Sequence, residues 1–361
     1  MPVYKDSKLG TWFAQCAYRS YTGERIRTTK RGFKTRKQAQ DWEREFVKRK
    51  EGALDVSIAA FYELYEQDVK PRLKENTWNT KAHIIETKII PYLGDLKISE
   101  VTPADVLHWQ NDIQSLTDGS GQPYSPTYLR TICNQLSAIF NHAIRYYGLS
   151  NNPLLRTGKI GSKKSPVEMQ FWTRDEYLAF RRQVMDKPLS FLAFEVLYWT
   201  GIREGELLAL TPKDFNFEKS AISINKSYQR IKGRDVITSP KTPKSNRLIT
   251  ASPFLMEEVK EHVGVNHITG DERIFRLTKS FLYHEMRRGC ALAGTKVIRI
   301  HDLRHSHVSL LIELGYSVSA IAERMGHEGV DITLNYAHLF PNKQADMAAD
   351  LERLNISEER E

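Results

Sequence analysis

The sequence predicts a multidomain protein that contains a small α+β domain, an all-α helical bundle and a mainly α domain with a small antiparallel sheet. Three observations predict this: a basic, aromatic-rich opening segment, a run of amphipathic helices with balanced charge, and a mixed helix–strand pattern after a Lys- and Gly-containing joint. With 361 residues, the chain has room for about two or three domains of ordinary size. The expected boundaries are 1–52, 53–155, 156–166 (a linker), 167–342 and 343–361 (a tail helix).

The first domain, residues 1–52, is expected to be a three-stranded sheet with one helix. Residues 11–19 and 24–29 have strand-like composition, and Thr35 is a suitable N-cap for a helix over Arg36–Lys50. Residues 1–50 hold fourteen Lys and Arg against five Asp and Glu, an excess of nine that equals the net charge of the whole chain. Interleaved aromatic residues argue against a solvated tail, so this segment is typical of a polyanion-binding module.

A ribbon of strands fits the DNA major groove, and the basic residues are expected on the exposed strand face. The candidate DNA-binding residues are Arg19, Arg25, Arg27, Lys30, Arg31 and Lys34.

The second domain, residues 53–155, is expected to be a bundle of four helices. Two of its helices have clear start signals, because Thr102 and Ser125 are each followed by proline at the first helical position. A polar, mostly basic stretch follows at 156–166, and its Gly, Ser and Lys content predicts a flexible linker.

The third domain, residues 167–342, opens with a capping box at Thr173 and Glu176. Helices are expected at 191–199 and 204–210, followed by strands at 221–227, 235–238 and 247–250 and then by further helices. Apolar residues at helical spacing in the tail predict a short amphipathic helix, which packs either on its own domain or on a neighbouring protomer.

Several function classes are disfavoured by composition. The sequence has no run of about 18 apolar residues and no opening signal-peptide pattern, so we expect a cytoplasmic protein without a membrane partner. Its three cysteines, Cys16, Cys133 and Cys290, are far apart and odd in number. This argues against a disulfide framework and against a zinc ribbon.

Five short clusters in the third domain carry residues suited to chemistry. They read TGIREGELLAL from residue 200, PKT from 240, HDLRHSH from 301, MGH from 325 and TLNYAH from 333. Phosphoryl transfer needs guanidinium groups on the phosphate oxygens, a general acid for the leaving oxygen and an activated nucleophile. The clusters supply arginines, a lysine, histidines and a tyrosine for these tasks.

The ordered clusters resemble the catalytic box of the tyrosine recombinase family, which includes phage-type integrases and those of integrative elements. The resemblance implies six catalytic residues and one acid that steadies the first arginine. These are Arg203, Lys241, His301, Arg304, His327 and the nucleophile Tyr336, with Glu206 as the acid.

The resemblance also implies a mechanism and partners. Tyr336 attacks DNA to give a 3′-phosphotyrosine, Arg203, Arg304 and His327 stabilise the transition state, Lys241 protonates the leaving oxygen and His301 assists the tyrosine proton. Neither metal nor ATP is required. The expected partners are double-stranded arm and core attachment sites, three further copies in a tetramer on DNA, a host DNA-bending protein and an excisionase, in a bacterial cytoplasm.

Three alternatives remain at this point. His301 and His305 lie at the i, i+4 spacing of two zinc ligands in metalloproteases, although Asp302 replaces the usual glutamate. A non-catalytic DNA-binding protein would share the basic first segment. A type IB topoisomerase would share the covalent chemistry but not the joining of two sites. His305, His307 and His338 are expected to pack or hydrogen-bond near the site without a chemical role.

Overall fold

The structure is a computed structural model that describes residues 3–7, 9–19, 24–50, 54–163, 169–240, 243–334, 336, 348 and 351–352. Its internal contacts divide the chain into two compact units, Met1–Val167 and Glu168–Glu361. Lys241 and His338 lie outside the described residues, as does nearly all of the predicted tail helix at 343–361. Within the described residues, no helix combines the length and apolarity needed to span a membrane.

The first unit begins with an antiparallel sheet and one helix, as the sequence predicts. The elements are β1 (Val3–Lys5), β2 (Trp12–Arg19), β3 (Arg25–Phe33) and α1 (Arg36–Lys50), with the strands in the order β1-β2-β3. Alternate residues of β2, Ala14, Cys16 and Tyr18, are buried against α1. Tyr18 meets Phe46 of the helix edge-on, so one apolar face of α1 covers one face of the sheet.

A helical bundle completes the first unit. Its helices are α2 (Ile58–Val69), α3 (Glu75–Lys88), α4 (Ile90–Leu93), α5 (Pro103–Ser115), α6 (Pro126–Tyr147) and α7 (Leu154–Thr157). The predicted start signals are confirmed: Thr102 caps α5 through a capping box with Asp105, and Ser125 caps α6. Trp109, Ile85 and Phe140 are fully buried at the centre of the bundle.

The stretch after α7 differs from the free linker that its composition suggests. The carbonyl of Gly158 accepts a hydrogen bond from buried Gln110, and the amide of Ser162 donates to the Pro126 carbonyl. Gly161 has φ +80°, and a Cβ there would lie 2.0 Å from the Pro126 oxygen. Residues 158–162 therefore pack on the bundle, because a glycine allows the backbone to approach the start of α6.

In its described residues, the second unit is mainly helical with two small antiparallel sheets. Its helices are α8 (Arg174–Gln183), α9 (Pro188–Thr200), α10 (Glu204–Leu207), α11 (Pro253–Val265), α12 (Lys279–Ala293), α13 (Asp302–Glu313), α14 (Val318–Met325) and α15 (Val330–Leu334). Its strands are β4 (Phe215–Asn216), β5 (Ala221–Ile224), β6 (Ser227–Ile231), β7 (Arg234–Thr238) and β8 (Arg247–Thr250). The strand orders are β4-β5-β8 and β6-β7.

The strand predicted at 221–227 is in fact two strands, β5 and β6, which are separated by Asn225 and Lys226. The two strands join different sheets, since β5 pairs with β8 and β6 pairs with β7. Between them, the Lys226 amine forms an ion pair of 2.7 Å with buried Asp214. The helix predicted at 204–210 ends earlier, at Leu207. Buried Trp172, Tyr177 and Phe180 anchor α8 in the core of this unit, and Thr173 forms the predicted capping box.

Candidate active site

Three chain segments of the second unit meet at the end of α9. The helix stops at Gly201, whose φ of +66° ends it in a left-handed turn. A Cβ at Gly201 would lie 2.7 Å from the His307 ring on α13 and 2.8 Å from the Met325 side chain on α14. Glycine thus lets the ends of α9 and α14 approach α13 closely, which brings the motif residues of all three segments together.

Arg203 and Glu206 form the first part of the site. Arg203 is the N-cap residue of α10, and its guanidinium donates a hydrogen bond of 2.7 Å to Glu206 Oε1. The Arg203 amide also donates to Glu206 Oε2 at 2.9 Å. The arginine side chain remains 38% exposed while the glutamate is 5% exposed, so a buried acid orients an accessible cation.

Arg247 of β8 binds the same acid from the other side. Its guanidinium donates to both Glu206 oxygens, at 3.3 and 3.0 Å, and its Nε donates to the Arg324 carbonyl at the end of α14. Burial alone would raise the pKa of Glu206, but hydrogen bonds from Arg247 and Arg203 hold that pKa below its ordinary value. Glu206 is therefore an anion between two cations.

Arg304 is the second arginine of the motifs and is almost fully buried, at 4% exposure. It donates to the Gly201 carbonyl at 2.8 Å and to the Met325 carbonyl at 2.5 Å, so it joins the ends of α9 and α14. Burial and the charges of Arg203 and Arg247 lower the pKa of Arg304 to about 9, which leaves it positive at neutral pH. We call Arg203, Arg247, Arg304 and Glu206 the arginine cluster.

Tyr336 follows α15 and lies in the protein interior, with 3% exposure. It packs with Val308, Ile312 and Met325, and its hydroxyl shares a short hydrogen bond with Nδ1 of His305. Burial raises the pKa of Tyr336 to about 12, and the Arg304 charge partly offsets this. The phenol is therefore protonated at neutral pH and needs a proton acceptor before it can act as a nucleophile.

The histidines of the site have separate surroundings. His301 precedes α13, remains accessible and meets the His305 ring at 5.2 Å between centroids, with the planes perpendicular. Partial desolvation and the Arg304 charge lower the pKa of His301. His327 Nδ1 shares a hydrogen bond of 2.8 Å with the Thr333 hydroxyl, and burial together with Arg304 and Arg203 lowers its pKa to about 4.

Three protein-family models match separate parts of the chain. Residues 174–343 match the model of the phage integrase family, residues 57–114 the N-terminal SAM-like domain of phage integrases, and residues 2–50 an arm DNA-binding domain. The ICEBs1 integrase of Bacillus subtilis (strain 168) is 30% identical over 355 residues, which cover 92% of this chain and 94% of that protein. The chain belongs to the phage integrase family. The expected tyrosine recombinase identity, including its function as an integrase, is confirmed.

Solved structures share the fold of this integrase. The Tn1549 transposon integrase in complex with transposon right end DNA has a TM-score of 0.66 and 20% identity, covering 83% of this chain and 100% of that one. A lambda integrase tetramer bound to a Holliday junction has a TM-score of 0.55 and 18% identity, covering 91% of this chain and 96% of that one. The predicted fold class is thereby confirmed.

In this integrase, His305 contacts the hydroxyl of the predicted nucleophile. His301 was expected to handle the tyrosine proton and His305 to have no chemical role, whereas the hydrogen bond to Tyr336 comes from His305. His307, in contrast, has a packing environment: it is buried and accepts a hydrogen bond of 3.1 Å from Arg324. Burial and Arg324 lower the pKa of His307 to about 3.

Among the described residues of the integrase, no group of three His, Cys, Asp or Glu side chains is placed to hold a metal ion. The pair considered for zinc, His301 and His305, meets ring to ring, and Nδ1 of His305 is engaged by Tyr336.

The N-terminal sheet of the integrase has one face free of α1. Arg25, Arg27 and Arg31 are exposed, and they alternate with Ile26, Thr28 and Lys30 along β3. Arg31 lies over the Phe13 ring of β2 at 5.2 Å. We call Arg25, Arg27 and Arg31 the basic sheet face.

The other basic candidates are placed differently. Lys30 lies on the α1 side, where its amine is 5.2 Å from the centre of the Trp42 ring, which differs from the expectation that it joins the exposed face. Lys34 is exposed between β3 and α1. Arg19 pairs with Arg25 in the backbone register, and its side chain lies outside the described residues.

Proposed function

We propose that Tyr336 is the nucleophile with which this integrase cuts and rejoins DNA at its attachment sites. The observation that carries the proposal is the convergence of positive charge on the tyrosine pocket. The charge of Arg304 acts on both Tyr336 and His327, and that of Arg203 acts on His327 and Arg304. These cations are in place before the reaction, so they would stabilise the negative charge that develops on a scissile phosphate in the transition state.

The roles follow from position. Arg203 is accessible and already oriented by Glu206, so it is suited to bind the non-bridging oxygens of the phosphate. Arg304 and His327 stabilise the pentacoordinate transition state at phosphorus. His301, the remaining histidine among the predicted catalytic residues, is accessible and lies beside the His305 ring. Lys241 donates the proton to the leaving 5′-oxygen, a role taken from the family resemblance.

Under this proposal, strand exchange needs no outside source of energy. Attack by Tyr336 conserves the phosphodiester energy in a 3′-phosphotyrosine, which the 5′-hydroxyl of a partner duplex then attacks. This sequence of steps requires neither ATP nor a metal ion.

Exchange between two duplexes needs four active sites, so we propose a homotetramer on DNA, as in the solved lambda integrase complex. The helical bundle of residues 53–155 and the domain of residues 167–342 bind the core site, and the basic sheet face binds arm sites. The proposed setting is a bacterial cytoplasm, with a DNA-bending protein and an excisionase as accessory partners.

The test uses a duplex with a nick beside the scissile phosphate, so that the cleaved strand is lost and the covalent adduct accumulates. Wild type and Tyr336→Phe are compared in EDTA on a denaturing gel, with DNA binding measured in parallel. We expect an adduct from the wild type alone. An adduct that persists in Tyr336→Phe would assign the nucleophile to another residue. DNA binding without any adduct would favour a non-catalytic DNA-binding protein.

A second assay, with two labelled duplexes, separates the integrase from a topoisomerase. A type IB topoisomerase would form the adduct and relax supercoiled DNA, but it would not join strands from two different duplexes. We expect joined products when two labelled attachment duplexes are mixed.

A further inference from the structure

His305 lies next to the motif arginine Arg304 on α13, and its imidazole contacts the hydroxyl that is to become the nucleophile. We propose that His305 is the general base that takes the proton of Tyr336 during strand cleavage and returns it during rejoining. This inference rests on the proposed function, because it needs Tyr336 to be the attacking residue.

The proton and electron movements balance within the site. The tyrosine O–H bond breaks as its oxygen bonds to phosphorus, and the proton moves to Nδ1 of His305. The bond from phosphorus to the 5′-oxygen breaks, and that oxygen receives a proton from the general acid, proposed as Lys241. In rejoining, an incoming 5′-hydroxyl returns a proton to the general acid, proposed as Lys241, as its oxygen bonds to phosphorus. The bond from phosphorus to the tyrosine oxygen breaks, and the imidazolium of His305 returns its proton to the departing phenolate.

The surroundings of His305 select the tautomer that this step requires. Nδ1 can accept a proton only when the hydrogen of the neutral ring is on Nε2. Nε2 lies 3.7 Å from Oδ1 of Asp302, which is 1% exposed and one helical turn away. Arg299 holds that carboxylate through its guanidinium, at 2.7 to 3.1 Å, and through its backbone amide at 2.9 Å. A fixed carboxylate on the Nε2 side favours the Nε2–H form and stabilises the imidazolium that follows.

The charges around His305 keep it able to accept a proton in the resting protein. Facing it are His301, Asp302, Arg299 and Arg304 from its own segment, together with Tyr336, and the ring also influences His327 of the α14–α15 connection. Burial and His301 lower the pKa of His305 to about 4, so its imidazole is neutral at neutral pH.

A protonated phenol and a neutral imidazole are the resting pair that general-base attack requires. Transfer occurs as the O–P bond forms and makes the phenol acidic, as in hydroxyl nucleophiles activated by histidine. His301 is in position to modulate this step through its edge-to-face contact with the His305 ring.

The experiment separates activation of the nucleophile from protonation of the leaving group. Two nicked duplexes are prepared on the sequence where the wild type forms its adduct, one with the ordinary 5′-oxygen at the scissile phosphate and one with a bridging 5′-sulfur. The sulfur leaves as a thiolate and needs no general acid. Single-turnover adduct formation is measured for wild type, His305→Gln and Lys241→Ala, with DNA affinity as a control for folding.

We expect His305→Gln to lose roughly 10²–10⁴-fold in rate on both duplexes, the range of general acid–base catalysis. Lys241→Ala should lose rate on the oxygen duplex and recover on the sulfur duplex. The residual rate of His305→Gln should rise with pH towards the tyrosine pKa, because hydroxide or water must then remove the proton. The wild type should depend less on pH across the neutral range.

Each contrary result overturns the base assignment. A rate within about threefold of wild type for His305→Gln would mean that glutamine's hydrogen bond suffices and that His305 only positions the phenol, since base loss costs roughly 10²-fold or more. Recovery of His305→Gln on the sulfur duplex would make His305 a leaving-group acid.

If His305→Gln fails to fold, His305→Ala with added imidazole replaces it. Rescue by imidazole supports the assignment of His305 as the base, and no rescue in a variant that binds DNA refutes it. An adduct in Tyr336→Phe would instead refute the proposed function.

Discussion

The arginines of the basic sheet face and those of the arginine cluster are positioned by opposite means. Arg25, Arg27 and Arg31 are exposed on a strand, and the ion pair of Arg31 with Asp6 is long, at 3.6 Å. The side chains of Arg247 and Arg304 are buried. Arg247 donates to the Glu206 carboxylate, and Arg304 donates to the Gly201 carbonyl. A solvated arginine can follow a phosphate backbone of variable geometry, whereas a buried one is already oriented for a single transition state.

Substitutions in the two regions should therefore have different effects. In the arginine cluster, loss of one side chain should reduce rate or stability sharply. On the basic sheet face, each loss should weaken affinity by a small and salt-dependent amount.

The largest effect is expected for Arg304→Lys. The lysine keeps a charge but cannot bond both the Gly201 and Met325 carbonyls while presenting a planar donor to phosphate. By analogy with transition-state arginines of other phosphoryl-transfer enzymes, we expect adduct formation to slow roughly 10³–10⁵-fold. Exposed Arg182→Lys on α8 is the matched control, and a wild-type rate for Arg304→Lys would place Arg304 outside the chemistry.

A smaller effect is expected for Glu206→Gln, which removes the anion that orients Arg203. Misplacement of a catalytic group by about 1 Å can cost 10²-fold in rate, so we expect a loss of about that size. Glu204→Gln on the same short helix is the control, since Glu204 pairs with Lys279 at 3.4 Å instead. Equal rates for the two variants would contradict an orienting role.

The lowered pKa of Glu206 implies that the stability of the protein depends on pH. Because its folded-state pKa is lowered, its contribution is complete above the ordinary glutamate pKa and is lost as the pH falls through the lowered value. The difference in Tm between wild type and Glu206→Gln should therefore be largest near neutrality and shrink on acidification. A difference that is constant down to acid pH would argue against an ionised Glu206.

Arg247→Met tests the other partner of the same acid. It leaves buried Glu206 with Arg203 alone and removes the bond to the Arg324 carbonyl. We expect the free energy of unfolding to fall by about 3 kcal/mol, the lower end for breaking a buried ion pair. Urea denaturation measures this against Arg276→Met, an exposed i, i+4 pair with Glu272 that should change stability little.

The smallest effects are expected on the basic sheet face. Each of Arg25→Ala, Arg27→Ala and Arg31→Ala should lower the log–log salt slope of DNA binding by about 0.9, the value for one phosphate contact. Arg44→Ala, exposed on α1, should leave the slope unchanged. An unchanged slope in all three sheet variants would remove this face from the DNA interface.

Local signals in the sequence predicted the elements that depend on neighbouring residues. Thr102, Ser125 and Thr173 each cap a helix where a polar side chain precedes an apolar pattern. The motif order likewise predicted that Arg203, Arg304 and Tyr336 share one site, a grouping that the charges acting between them support.

Contacts between distant residues were not predictable in this way. Arg247 reaches Glu206 from 41 positions away, and His305 meets Tyr336 across 31 positions, so neither partner is visible in a local pattern. The position of Lys30 could have been predicted from the sequence. Side chains alternate between the two faces along β3, so Lys30 lies on the other face of the sheet from Arg27 and Arg31. The same alternation is interrupted after Arg31, where Gly32 with φ +90° forms an irregularity that returns Phe33 to the Trp42 side.

The burial of Tyr336 also determines how the free enzyme meets other molecules. A reagent that modifies accessible phenols encounters Tyr4, Tyr146 and Tyr283 before it encounters a hydroxyl withdrawn from the surface. If Tyr336 is the nucleophile as proposed, its burial shields the reactive oxygen of the free enzyme from DNA that it meets by chance.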